Sequence, residues 1–159
     1  MAQASRGAFR LGLGFAALAL AAACEPLGPI PGGRLGGREV AEPVADWSFA
    51  RDAQTIQIET RVGDPHSVTV WCVVHAGRLY VPSRHPENKR WVRNVLGDPR
   101  VRVGVGDSVY PGRALRVTDE AELEAVVPDL LAKYGIERPE EEEPDAWLFR
   151  IDPPTPAAP

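Results

Sequence analysis

Apolar residues recur at every second position in six separate stretches of this chain, and no other regularity in it is as strong. A period of two puts successive side chains on opposite faces of an extended strand, so each stretch reads as a strand with one face toward a core. Ile56 and Ile58 alternate with Thr55, Gln57 and Glu59. Residues 67–74 (SVTVWCVV) pass from alternation into a continuous apolar half, the pattern of a strand covered on both faces. His75-Ala76-Gly77 turns the chain into a third strand over 78–81, making a hairpin with Gly in its turn. Val101, Val103 and Val105 form a fourth, Tyr110 with 114–117 a fifth bent at Pro111-Gly112, and Trp147, Phe149 and Ile151 a sixth.

Two helices interrupt the strands. Residues 86–96 bring Trp91, Val92, Val95 and Leu96 to one face and leave Lys89, Arg90 and Arg93 elsewhere. Pro86 suits the first turn of that helix and Gly97-Asp98-Pro99 stops it. The second helix opens on Asp119 and Glu122, the spacing of a capping box, and runs to Tyr134 with Gly135 as its cap. Pro128 is expected to break or kink it. Residues 137–145 read as an acidic, solvated loop. Six short strands and two helices in this order favour a small closed barrel over an open parallel sheet, with Ile58, Val70, Val74, Val103, Leu115 and Phe149 expected in its core.

The N-terminus carries a different signal. Arg6 and Arg10 form a basic region, and an apolar stretch follows from Leu11. That stretch is too short to span a bilayer and ends in Ala21-Ala22-Ala23-Cys24, small residues directly before a cysteine. This resembles the lipobox of bacterial lipoproteins, although Ala21 stands where such sequences favour Leu. The resemblance implies a signal peptide over 1–23 and a diacylglycerol on Cys24. It implies a place in the cell envelope, on the periplasmic side of the outer or inner membrane; Glu25 mildly favours the outer. Plain secretion by cleavage after an Ala-x-Ala motif is the alternative. Residues 24–45, rich in Pro and Gly, read as a tether, 46–152 as the barrel domain, and 153–159 as a Pro-rich tail.

Composition removes several classes of function. A formal charge of -4 argues against a nucleic-acid partner. Cys24 and Cys72 are the only cysteines, which excludes a multi-cysteine zinc site and leaves Cys72 as an inert buried thiol. No GxSxG nucleophile elbow and no phosphate-binding GxxxxGK[ST] loop is present. His66, His75 and His85 are the only histidines, at spacings that form no recognised metal motif.

His66-Ser67-Val68-Thr69-Val70-Trp71 opens a strand and Gly77-Arg78-Leu79-Tyr80-Val81 follows it. Ser83, Lys89, Arg90, Trp91 and Asn94 come next, and Asp98-Pro99-Arg100-Val101 closes the unit. Together these resemble the split β-barrel superfamily of pyridoxamine-phosphate-oxidase-like FMN-binding proteins, nearest its deazaflavin-dependent nitroreductase-like branch. The resemblance runs from Thr55 to Ile151. It implies a mainly β (α+β) fold, a six-stranded split β-barrel with two short helices, assembled as a homodimer around a flat phosphorylated ring cofactor. That cofactor is FMN, with a deazaflavin coenzyme, or none, as alternatives. Ser83, Arg84, Lys89 and Arg90 would grip the phosphate, His66, Ser67 and Val68 would lie near the ring or the phosphate, and Trp91 would stack on the ring. A helix N-terminus offers free amides and a positive dipole end to an anion, and Lys and Arg add charge. Each residue also has a plainer reading: Lys89, Arg90 and Arg93 as a solvated basic face, Trp91 as a core anchor, His66 and His85 as loop residues beside Pro, Tyr110 as a packed strand aromatic.

Two functions follow. The first is an exported flavin-type oxidoreductase. The second is a non-redox ligand-binding or structural lipoprotein on the same fold. The second gains weight because reductases of this kind draw hydride from a cofactor regenerated in the cytoplasm, and no twin-arginine pair marks this chain for export in folded, loaded form.

Overall fold

Strands account for most of the architecture in the computed structural model, which describes residues 31–137 and 146–155. They are β1 (Arg38–Glu39), β2 (Thr55–Thr60), β3 (His66–Trp71), β4 (Val73–His75), β5 (Arg78–Arg84), β6 (Arg100–Val105), β7 (Ser108–Arg116) and β8 (Ala146–Asp152), with helices α1 (Arg90–Gly97) and α2 (Glu120–Tyr134). Seven strands follow one path, β3-β2-β6-β7-β8-β5-β4, and β1 pairs in parallel with β7. The two ends of the path, β3 and β4, are one stretch of chain interrupted at Cys72. The sheet therefore curls until its edges meet through a single residue, which is the closure of a split barrel.

That closure explains why the strands number eight and not the six expected. Residues 67–74 read as one strand, but β3 pairs with β2 whereas β4 pairs with β5. Between them, the Cys72 N–H donates to the Tyr134 hydroxyl at 2.9 Å in place of a strand partner. The other addition, β1, has two exposed residues and no apolar pattern to reveal it. Pro111 and Gly112 were expected to bend the fifth strand, yet β7 runs through both with unbroken register against β6. On its other side β7 pairs β1 at Ser108 and Val109 and β8 from Arg113 onward, so the missing Pro111 N–H falls in the gap. Gly112 is needed for closeness: a Cβ there would lie 3.0 Å from Ile151 Cγ2 and 3.3 Å from the Asp152 carbonyl oxygen.

Ile58, Val74, Val103 and Phe149 are buried in the barrel core as expected, with Leu79, Val81, Trp91, Val92 and Val95 among them. Val70 and Leu115 are only half-buried. Leu115 pairs with Arg150 on the outer face, and its neighbour Ala114 supplies the core contact instead. A smaller core of Val73, Tyr80, Val117, Val126 and Leu148 lies under α2.

The first helix is shorter than expected. Pro86–Asn88 is a separate 3-10 turn, and Lys89 is extended (φ -95°, ψ 120°), so α1 starts at Arg90. In α2, Asp119 caps by accepting from the Glu122 N–H at 2.8 Å. The Glu122 carboxylate does not complete the capping box; it takes the Tyr80 hydroxyl and Arg150, each at 2.8 Å. Pro128 neither breaks nor ends α2. The carbonyl it leaves unpaired, that of Glu124, is on an exposed residue where water can satisfy it.

The packed domain also begins before Asp46. The Gly32 N–H donates to the Ser67 carbonyl at 2.8 Å, and the Ser67 N–H returns a bond at 2.9 Å. Leu35 is buried, and its N–H donates to the Glu59 carboxylate at 2.6 Å. Glu59, itself buried, pairs with Arg102, which also holds Glu39. Residues 32–40 are thus a strap across the outer face of β2, β3 and β6. The signal segment 1–23, Cys24, the loop residues 138–145 and the tail residues 156–159 lie outside the described residues.

Candidate functional site

One end of the barrel gathers most of the chemistry. The C-termini of β2, β5 and β7 and the N-termini of β3, β6 and β8 meet there, as the antiparallel registers require. α1 spans this end from β5 to β6 and packs on β2 and β3. Its apolar side is fixed by Trp91, Val92 and Val95 in the core. Trp91 meets Phe149 edge-on at 5.0 Å. Asn94 donates to the Thr60 hydroxyl at 2.8 Å, and that hydroxyl donates to the His66 carbonyl at 3.1 Å.

The strand alternation then sorts the expected site residues. Val68 pairs with core residue Ile58 and packs on the core, so His66, two positions away, shares its inward face. Ser67 faces the other way with Glu59, fully buried beneath the strap rather than open to the α1 end. On β5, Ser83 shares the inward face with Leu79 and Val81, while Arg84 points to the outer side. The structure therefore unites His66, Val68 and Ser83 with Lys89 and Arg90 at the mouth beside α1. It separates Ser67 and Arg84 from them, and it buries Trp91 in the core as an anchor.

The mouth is cationic. Lys89 and Arg90 are exposed at the α1 N-terminus and make no ion pair among the described residues. His66 is buried to 6% exposure. Burial, then the Arg90 and Arg61 guanidinium groups, hold its imidazole below the ordinary value, so it is neutral at neutral pH. The Ser83 hydroxyl is buried without a hydrogen-bond partner among the described residues. A buried hydroxyl left this way is costly unless something arrives to bond it.

Two contributors escaped the sequence reading. Arg61 sits at φ 63° in the β2–β3 turn, paired with Asp64. Arg116 ends β7 and covers the ring of Trp147. The signal for Arg116 was available, since it breaks the apolar face set by Ala114 at a strand end. A concavity of about 230 Å³ lies at the opposite end of the barrel, lined in part by Trp47, Arg78, Arg150 and Asp152. Arg150 is already held there by Glu122 and Asp152, and Arg78 lies 3.9 Å from Glu122. That end offers an anion little uncompensated charge, and the α1 end is the stronger candidate.

The barrel topology is that of the split-barrel fold of pyridoxamine-phosphate-oxidase-like proteins. Solved structures agree on the fold. A Listeria innocua protein classed provisionally as a pyridoxamine 5'-phosphate oxidase superimposes with TM-score 0.51 at 23% identity, over 64% of this chain and 85% of that one. A conserved hypothetical protein of Mycobacterium tuberculosis gives 0.53 at 20%, over 73% and 85%. A Bacteroides thetaiotaomicron protein classed provisionally with 5-nitroimidazole antibiotic resistance gives 0.53 at 11%, over 72% and 83%. No curated protein sequence matches significantly. The chain belongs to the F420H(2)-dependent quinone reductase family, whose model matches residues 56–135, just over half of it.

Proposed function

We propose that this chain is an envelope oxidoreductase that binds a phosphorylated deazaflavin at the α1 end of its barrel and passes reducing equivalents to a quinone-type acceptor. The observation that carries the reading is the pair of exposed cations, Lys89 and Arg90, without an ion pair among the described residues, at a helix N-terminus beside the neutral, buried His66. Free amides of the first turn of α1 and the two side chains suit a phosphate. His66 can hydrogen-bond a polar ring atom without adding charge to the site. Bound there, the deazaflavin supplies hydride chemistry; the chain's residues hold it, orient it and exclude water from its inner side.

Val62 and Leu96, each 57% exposed, belong to the β2–β3 turn and to α1 at the same end. Two apolar side chains beside a shallow basic mouth support a homodimer in which a second copy completes the site. FMN is the runner-up cofactor. Lipidation at Cys24 would hold the domain at the membrane, where long-chain quinones reside.

Titration of deazaflavin, and separately FMN, into wild type and Lys89→Ala by fluorescence tests this. Wild type is expected to bind, and the variant to bind about tenfold to hundredfold more weakly, the loss of one hydrogen bond to a charged group. Equal binding by both removes Lys89 from the phosphate site. If wild type takes up neither cofactor at low salt, the redox reading fails and a non-redox ligand-binding lipoprotein is the better account.

A further inference from the structure

The α1 end has a second flank that the cofactor reading leaves unused. At the close of β7 the Arg116 guanidinium carbon lies 3.6 Å from the centroid of the Trp147 ring. Arg116 is exposed and makes no ion pair among the described residues; its contact is with the indole face. Trp147 is half-buried and packs on the barrel core 6.3 Å from Phe149. Directly across the β5–β8 ladder from Trp147 is Ser83, 6% exposed, whose hydroxyl has no partner among the described residues.

A flat ring, a cation resting on it and an unfulfilled hydroxyl beside it are complementary to one kind of molecule. Cation–π stacking is weak where water reaches the cation, whereas a guanidinium bonding an anionic oxygen makes a stronger, directed contact. An incoming anion can therefore draw Arg116 off the indole, and the ring it uncovers is a surface for a planar aromatic body. Ser83 can donate to an oxygen on that body's inner edge.

We propose that Arg116 and Trp147 form a specificity subsite for planar acceptors carrying an ionised oxygen, such as the anion of a hydroxyquinone, with Ser83 as the inner hydrogen-bond donor. The proposal rests on the oxidoreductase reading for the fate of that acceptor, and not for its binding. Arg116 is a specificity residue here; it is not required to hold the cofactor, whose cations are Lys89 and Arg90.

The test uses the full-length chain. Binding of 2-hydroxy-1,4-naphthoquinone, which is anionic at neutral pH, and of neutral 1,4-naphthoquinone is measured by tryptophan quenching in wild type, Arg116→Met, Arg116→Lys and Trp147→Leu. Turnover of both quinones is followed with reduced deazaflavin. Wild type should prefer the anion by about tenfold or more, the worth of one hydrogen bond to a charged group. Arg116→Met should lose that preference while binding the neutral quinone unchanged. Arg116→Lys should keep part of it, and Trp147→Leu should weaken both ligands. In turnover, the Arg116→Met defect should lie in KM for the anionic quinone alone. Anion preference that survives Arg116→Met, or no preference in wild type, overturns the subsite even if deazaflavin binds normally. An Arg116-dependent preference in a protein that binds no deazaflavin supports the subsite and sinks the redox reading instead.

Discussion

His66 has little water around its ring and two guanidinium groups nearby, and both disfavour its protonated form. Its proton affinity in the fold is thus lower than in the unfolded chain, where about 6.5 applies. Between the two values the unfolded state binds more protons, so the His66 contribution to stability is fully present above about pH 6.5 and is lost as pH falls toward the folded value. Urea melts should show stability falling on acidification below that point, with a slope of at most about 1.4 kcal/mol per pH unit from this one group. His66→Gln should flatten that part of the profile; an unchanged profile removes His66 as its source. Ser67 behaves differently. Its hydroxyl is fully buried beneath the strap without a partner among the described residues, so Ser67→Ala should leave stability unchanged or raise it by up to about 1–3 kcal/mol. Cofactor affinity should not change, because Ser67 faces away from the mouth, and a marked affinity loss would contradict that placement. The sequence made both residues equally plausible as ligands. Only strand parity separates them, and parity requires a fixed register against β2, which no local pattern supplies. Lys89 and Arg90 were legible because charge next to a helix start is a local signal. Arg116 breaks the apolar face of its strand, a local signal, but the ring that gives the break a purpose, Trp147, is thirty-one residues further along the chain.

Among the elements, the seam between β3 and β4 is where local signals and tertiary structure part. Period-two alternation located β2, β5, β6 and β8 because each keeps one face on the core along its length. It could not divide SVTVWCVV, since apolarity continues through the point where the pairing partner changes. The division depends on the far end of α2. The Tyr134 hydroxyl accepts from the Cys72 N–H at 2.9 Å and donates to the Gln54 carbonyl at 2.6 Å. Lys133 donates to the carbonyls of Ala53 at 2.6 Å and Cys72 at 2.9 Å. Trp71 stacks on the Tyr134 ring at 4.3 Å. Tyr134→Phe keeps the stack and removes the hydroxyl, leaving the fully buried Cys72 amide unpaired. The expected loss is about 1–3 kcal/mol in urea unfolding, and unchanged stability would mean the seam closes without α2. At the other end, α1 depends on Trp91 and its contact with Phe149. Trp91→Ala should cost about 3–5 kcal/mol, the range for emptying a buried aromatic site. A ring-stacking Trp91 would instead lose cofactor affinity with little change in unfolding, so the two measurements on one variant decide its role.

At the scale of the whole molecule, the strap decides how far the barrel can stand from whatever holds its N-terminus. Sequence composition made 24–45 look like tether and placed the start of the fold only loosely between Gly33 and Asp46, because Pro and Gly carry no periodicity. Yet Gly32 is bonded to β3, Leu35 is buried, and Arg38 and Val40 donate to the Asp107 and Val109 carbonyls at 2.8 and 2.9 Å. Any free length between Cys24 and the packed domain is therefore at most the eight residue steps to Gly32. At about 3.3–3.6 Å per extended residue, these reach no more than roughly 26–29 Å. A diacylglycerol on Cys24 would hold the barrel within that distance of the bilayer, where long-chain quinones reside. Two buried acyl chains make such an anchor stable, at about 0.8 kcal/mol per methylene. Cys24→Ser should move the protein from the membrane fraction to the soluble one, and its mass should fall by the missing lipid. Turnover of a long-chain quinone in vesicles should drop in that variant, while a water-soluble quinone is reduced as before, because the barrel and its mouth are untouched. Unchanged membrane association together with an unchanged mass would rule out the lipid anchor. Loss of turnover with both quinones would show instead that residue 24 matters to folding or assembly and not to delivery of the substrate.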